Sequence, residues 1–182
     1  MQRVILIAHN IRSTHNVGSM MRTAEGLGVE KVYLTGYTPY PLVKDDDRLP
    51  HLARKIDARI HKTALGAETM IPWEHSAEIK PIIETLRREG FQIAALEQDS
   101  RAVKSITFHT PEQIALIVGR EVEGVEAEVL DLCDTIIEIP MKGKKESFNV
   151  SAAAAIGLYQ LLCRLPATSD PRLCPEQLSS QA

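Results

Sequence analysis

The sequence predicts an α/β domain built on a mainly parallel sheet, and three observations carry that expectation. Short apolar runs alternate with amphipathic stretches over residues 1–165. The runs are continuous rather than alternating, as in strands buried on both faces. Several of them lead straight into polar or glycine-bearing loops, the places where parallel sheets present their ligands. With 182 residues, 44% of them hydrophobic, the chain suits one compact domain with a full core. Residues 1–165 are read as that domain. Residues 166–182, where Pro, Ser and Gln take over, are read as a flexible tail.

Each element follows in turn. Arg3–Ala8 is a buried first strand, and a polar loop, His9–His15, follows it. Asn16 is placed as the cap of a helix running to about Leu27, with Gly28 as its stop. Lys31–Thr35 is a second strand. Residues 36–50 hold Pro, Gly and the acidic triplet Asp45-Asp46-Asp47, and read as an exposed loop with little intrinsic order. His51–Lys62 is a short helix bearing Arg54, Lys55, Arg59 and Lys62; these cations either track phosphate or form a plain solvated face. Ser76–Glu89 is a helix, Phe91–Leu96 and Gln113–Val118 are strands, Glu126–Leu132 is a short helix and Thr135–Pro140 a strand. Asn149–Leu165 closes the domain as an apolar helix.

Composition excludes several classes. No apolar run approaches the ~18–20 residues of a membrane span. Val4-Ile5-Leu6-Ile7-Ala8 leads to His9-Asn10 without a cleavage pattern, so it is expected to be a strand and not a signal peptide. Cys133, Cys163 and Cys174 form no CxxC pair, which fits a reducing cytoplasm better than a disulfide framework or zinc site. His9, His15 and His51 lack ligand spacing and are expected to make polar contacts, with no metal. The net charge of −3 argues against indiscriminate coating of nucleic acid. It hides a gradient, however: residues 1–62 hold ten Lys/Arg against six Asp/Glu, and the remainder eleven against eighteen.

Three stretches look too specific for connectors. The first runs from Asn10 through Arg12, Ser13, Asn16, Val17, Gly18 and Ser19 to Arg22, Thr23 and Ala24. Arg22 sits between apolar neighbours and calls for a carboxylate, phosphate or carbonyl partner; Glu25 could supply an ordinary i,i+3 pair. The second is Gly119-Arg120-Glu121-Val122-Glu123-Gly124. It has neither dinucleotide nor P-loop spacing, and its two glycines can be purely structural, but Glu121 should point into a ligand crevice. The third runs from Ile139-Pro140-Met141 through the cationic Lys142–Lys145 loop to Glu146-Ser147-Phe148-Asn149-Val150-Ser151. It opens a helix whose first turn can hold an anion, or else Ser147 or Asn149 is simply its cap.

Taken in order, these three stretches resemble the three signature motifs of TrmH-type (SpoU) RNA ribose methyltransferases of the SPOUT superfamily, over roughly residues 3–164. The resemblance implies a Rossmann-like, mainly parallel sheet flanked by helices, with a C-terminal deep trefoil knot, in a homodimer with motif 1 and the last helix at the interface. It implies S-adenosyl-L-methionine (SAM) as cofactor, held by the loop after Leu96, Gly119, the backbone around Ile139 and Met141, and Ser147 and Phe148. It also implies transfer of the methyl group to a ribose 2′-hydroxyl of structured tRNA or rRNA. Arg22 matches the family's catalytic arginine, which either activates the hydroxyl as a base or stabilises it through the adjacent phosphate, and Asn16 the asparagine that orients it. Glu121 matches the motif 2 glutamate, and Ser147 and Asn149 the motif 3 pair. Phe148 stands where leucine is usual. No separate RNA-binding domain is recognised ahead of motif 1, so target choice is expected from Arg12, Arg54, Lys55 and Lys142, Lys144 and Lys145. Three other readings stand beside this one: an idle SAM- or RNA-binding scaffold, a base-directed methyltransferase of the same superfamily, and a nucleotide-using Rossmann enzyme. The last lacks both glycine fingerprints.

Overall fold

In the computed structural model, which describes residues 2–163, seven strands form one sheet in which every pairing is parallel. The strands are β1 (Arg3–His9), β2 (Lys31–Thr35), β3 (Trp73–Ser76), β4 (Gln92–Leu96), β5 (Val103–Lys104), β6 (Gln113–Val118) and β7 (Thr135–Glu138), in the order β3-β2-β1-β6-β4-β7-β5. The helices are α1 (Thr14–Gly26), α2 (Pro50–Ala64), α3 (Ala67–Met70), α4 (Lys80–Arg88), α5 (Ala127–Leu130) and α6 (Val150–Leu162).

Side-chain alternation along β1 builds a core on each face. Val4, Leu6 and Ala8 join Met20 of α1, Ile60 of α2 and Leu158 of α6 on one side. Ile5 and Ile7 join Ile83 and Leu86 of α4 and Val129 and Leu130 of α5 on the other. Both faces being covered, β1 and β6 must be apolar at successive positions, which is why they read as continuous runs. On the first face α1 packs against α2 so closely that a Cβ on Gly18 would lie 2.3 Å from the Ile60 carbonyl oxygen.

Several boundaries differ from the sequence reading. Ser13, not Asn16, caps α1: its Oγ accepts from the Asn16 N–H at 3.3 Å. Ser76 ends a strand instead of starting a helix, and α4 begins at Lys80. The segment 36–49 is better ordered than its Pro, Gly and Asp content suggests. The Arg48 guanidinium pairs with Asp46, donates to the carbonyls of Tyr40 at 2.9 Å and Pro41 at 3.1 Å, and lies 3.6 Å from the Tyr40 ring centre. That hydrogen-bonded arginine also holds the Asp46 carboxyl well below the usual carboxylate range. No helix among the described residues is long and apolar enough to cross a membrane. The tail expected over 166–182 lies outside the described residues.

Candidate active site

Because all strands run parallel, the loops after β1, β2, β4, β6 and β7 gather at one edge of the sheet. The chain lays down β1, β2 and β3 outward in one direction, then crosses to the other side of β1, so β1 and β6 flank the point where strand order reverses. Crevices form there in open α/β sheets.

The loop after β6 is a tight hairpin. The Arg120 N–H donates to the Gly124 carbonyl at 3.0 Å and the Gly124 N–H donates back to the Arg120 carbonyl at 3.1 Å. A Cβ on Gly119 would sit 2.5 Å from backbone atoms of Gly124 and Val125, and one on Gly124, at φ +71°, would sit 2.0 Å from Glu97 Oε2. Gly119 is therefore required by close approach of backbone, and Gly124 by its left-handed backbone. Glu97 stabilises the turn further by accepting from the Val125 N–H at 2.8 Å.

The hairpin carries Glu121 across to the start of α1. Its carboxylate accepts from the Arg12 N–H at 3.2 Å, the Ser13 N–H at 3.0 Å and Asn16 Nδ2 at 3.0 Å. Since α1 has no acidic residue in its own first turn, Glu121 supplies the negative charge its N-terminus favours. Burial pushes the Glu121 carboxyl up, but the bonds from Arg12, Asn16 and Ser13 outweigh it and hold the pKa below the ordinary carboxylate value. Asn16 in turn accepts from Asn149 Nδ2 at 3.2 Å through its Oδ1. Asn149 is the N-cap of α6, its Oδ1 accepting from the Ser151 N–H at 2.9 Å and Ser151 Oγ at 2.7 Å. Residues from all three motif stretches thus form one hydrogen-bonded chain.

Beside that chain lies a cleft of about 720 Å³, counting its open mouth, lined by Leu96, Gly119, Ile139, Ser147 and Phe148 among others. Five of the six residues expected to hold a cofactor line it; Met141 is half-buried beyond its lining. Gln98 Nε2 donates to the Glu146 carbonyl and so ties the loop after β4 to the loop after β7. Apolar walls (Leu96, Ile139, Val150, Ala153) and a backbone left bare at Gly119 suit the flat adenosine of SAM.

Arg22 is elsewhere. It is exposed, it makes no ion pair with Glu25 or any other described residue, and it lines an apolar groove between α1 and α6 with Leu27, Ala155, Ile156 and Tyr159. Arg12 contributes its backbone to Glu121, while its exposed side chain borders a depression shared with Asn16 and Glu121. Arg54 and Lys55 stand on the solvent face of α2, and Lys142, Lys144 and Lys145 are exposed in the loop after β7.

A polar cluster next to the hairpin had no counterpart in the sequence reading beyond a general expectation of polar contacts at His9. His9 is buried, its Nδ1 lies 2.8 Å from Thr35 Oγ1, and its Nε2 lies 3.1 Å from Asn10 Nδ2. Asn10 Nδ2 also donates to Glu126 Oε1 at 2.8 Å, and Arg120 Nε approaches the same oxygen at 3.5 Å. Desolvation lowers the His9 pKa, with Glu126 opposing and Arg120 assisting. A neutral ring donating from Nδ1 and accepting at Nε2 satisfies both contacts. The only sequence signal for this cluster is a polar residue, His9 or Thr35, at the carboxyl end of an otherwise apolar strand. Among the described residues no three His, Cys, Asp or Glu side chains are grouped to hold a metal ion.

The SpoU rRNA Methylase family model matches residues 3–159, and the chain belongs to that family. SpoU methylases use S-adenosyl-L-methionine. An uncharacterised tRNA/rRNA methyltransferase of Mycobacterium tuberculosis is 28% identical over 161 residues, covering 87% of this chain and 51% of that one. An AdoMet-bound rRNA methyltransferase from Sinorhizobium meliloti superposes with a TM-score of 0.74 at 20% identity, covering 91% of this chain and 57% of that one. An RNA 2′-O ribose methyltransferase superposes with a TM-score of 0.72 at 23% identity, covering 89% of this chain and 56% of its own. The chain spans about half the length of the curated relatives it matches.

Proposed function

We propose that this protein transfers the methyl group of SAM to a ribose 2′-hydroxyl of structured tRNA or rRNA, acting in the cytoplasm as a homodimer. The observation that carries the reading is the chain Glu121–Asn16–Asn149, which joins the three motif stretches at the rim of the Gly119 cleft. Bound SAM supplies an electrophilic methyl carbon on a positively charged sulfur. The protein's task is to place the ribose oxygen in line with that carbon, keep water away and manage the charge.

Leu96, Gly119, Ile139, Ser147 and Phe148 hold the cofactor in this reading, with the backbone near Met141 at its edge. Glu121 acts as a positioning residue: three donors already occupy its oxygens and its pKa is depressed, so it is poorly suited to accept a proton. Asn16 and Asn149 fix one another's amides, and Ser147 lines the cleft together with Glu121. Arg22 binds the phosphate next to the target ribose and stabilises the developing alkoxide as the O–methyl bond forms and the S–methyl bond breaks; the hydroxyl proton leaves to solvent at the cleft mouth, because a guanidinium that stays protonated is a poor base. Arg12, Arg54, Lys55, Lys142, Lys144 and Lys145 supply further phosphate contacts, for which their exposed, unpaired side chains are suited.

The homodimer rests on the groove between α1 and α6. Helix α6 is apolar nearly all round, yet Ala152 and Tyr159 are exposed and Ala155 and Ile156 only half-buried, an arrangement expected of an interface. A second copy there would bring Arg22 to the subunit boundary. The knot belongs to the same reading; β7 lying between β4 and β5, and α6 returning to pack on β1, β4, β6 and α1, are compatible with it.

The test is methyl transfer from labelled SAM to unmodified tRNA and rRNA, with wild type, Arg22→Ala and Arg22→Lys. Transfer is expected with wild type and loss with both variants. Full activity in Arg22→Lys would exclude a bidentate phosphate clamp.

A further inference from the structure

The ribose that reaches this site carries a nucleobase, and the base needs a surface of its own. Single-stranded and loop bases are most often held by stacking on aromatic rings. The chain has eight aromatic residues: four Tyr, three Phe and one Trp. Only Tyr37, Phe148 and Tyr159 are exposed. Phe148 lines the cofactor cleft and Tyr159 lies in the α1–α6 groove. Tyr37 alone is left for a third role.

Its setting is built. Thr35 and Thr38 on either side are fully buried, while Tyr37 remains 55% exposed. The Tyr37 N–H donates to Asn10 Oδ1 at 3.2 Å, and Thr38 Oγ1 is bonded to the carbonyls of Ala8 and Thr35. Gly36, at φ +69°, brings the turn so close to Asn10 that a Cβ would lie 1.9 Å from its Oδ1. A rigid turn at the carboxyl edge of the sheet therefore displays one large ring to solvent. Through Asn10 the turn connects to Glu126 and Arg120, hence to the Gly119 hairpin, and the charges of Arg120, Glu121, Glu123 and Glu126 all reach the phenol.

We infer that Tyr37 is the stacking platform for the base of the target nucleotide or its immediate neighbour, held in place by Asn10 and the Gly36 turn. The inference rests on the RNA ribose methylation proposed above.

The experiment measures methyl transfer to total RNA from the source strain deleted for this gene, with wild type, Tyr37→Phe and Tyr37→Ala, and SAM affinity by calorimetry. Tyr37→Phe keeps the ring and is expected to stay within about twofold of wild type. Tyr37→Ala is expected to raise the KM for RNA by about 5- to 150-fold, the usual range for one lost stack, with SAM affinity unchanged. Wild-type-like KM in Tyr37→Ala, beside an active wild type, overturns the stacking role and leaves the methylation reading intact. Equal loss in Tyr37→Phe and Tyr37→Ala, or loss of SAM affinity, would likewise exclude stacking. No transfer by the wild type to any RNA would overturn both.

Discussion

Asn149 Nδ2 donates to Asn16 Oδ1 at 3.2 Å across 133 positions of sequence, and Asn16 Nδ2 donates to Glu121 at 3.0 Å. Each amide is used at both ends, so neither asparagine can turn without breaking two contacts. Replacing Glu121 by Ala leaves the Arg12 and Ser13 N–H groups and the Asn16 amide without their acceptor. The expected cost is about 1–3 kcal/mol, reduced by water because the site is only half-buried. Thermal denaturation should fall by a few degrees, at about 2–4 °C per kcal/mol for a chain of this size, and methyl transfer should fall much further than stability.

The Gly119 cleft makes a separate prediction. A methyl group at Gly119 meets backbone at 2.5 Å, so the hairpin must shift in Gly119→Ala. SAM affinity measured by calorimetry is expected to drop at least about tenfold, with the fold retained, since overpacking of this kind typically costs 1–3 kcal/mol. Unchanged affinity would place the cofactor elsewhere.

Two histidines should titrate in opposite directions. His9 is lowered from its ordinary value near 6.5 by burial, and His61 is raised by its hydrogen bond to Glu68. The folded protein therefore binds protons less well at His9 than the unfolded chain does. The stability His9 contributes is present above pH ~6.5 and is lost as pH falls toward its folded pKa. For His61 the sign reverses: its contribution is present below pH ~6.5 and is lost as pH rises through its folded pKa. NMR titration of the ring resonances, assigned with His9→Gln and His61→Gln, gives both directions directly.

The α1–α6 groove predicts the assembly. Ile156→Glu places a charge in the middle of the apolar face, where desolvating it opposes association. Light scattering is expected to give a dimer for the wild type and a monomer for Ile156→Glu. A monomeric wild type would remove the dimer from the proposal.

How legible all this was in the sequence varied with the physics involved. β1, β2 and β6 were plain because central parallel strands are apolar at successive positions. β3 and β5 were invisible for the opposite reason: they are the two edges of the sheet, and Trp73–Ser76 and Val103–Lys104 are short and partly exposed. The motif residues were found through family resemblance, and the structure brings Asn16, Glu121, Ser147 and Asn149 to one place. No periodicity could have paired Asn16 with a glutamate 105 positions away. The ordered 36–49 segment was misread because its order comes from contacts that composition does not reveal: Arg48 folds back on Asp46 and Tyr40, the Leu42 N–H donates to Asp57, and Thr38 bonds to the Ala8 carbonyl. Arg22 was expected to need a partner, and none of the described residues supplies one. In the proposed reading, that partner is the RNA phosphate.

The most direct measurement is nucleoside analysis of RNA after incubation with methyl-labelled SAM, comparing wild type with Arg22→Ala. Label confined to 2′-O-methylnucleosides, and absent in the variant, is the predicted result. Label on a base, or label undiminished in Arg22→Ala, would contradict it.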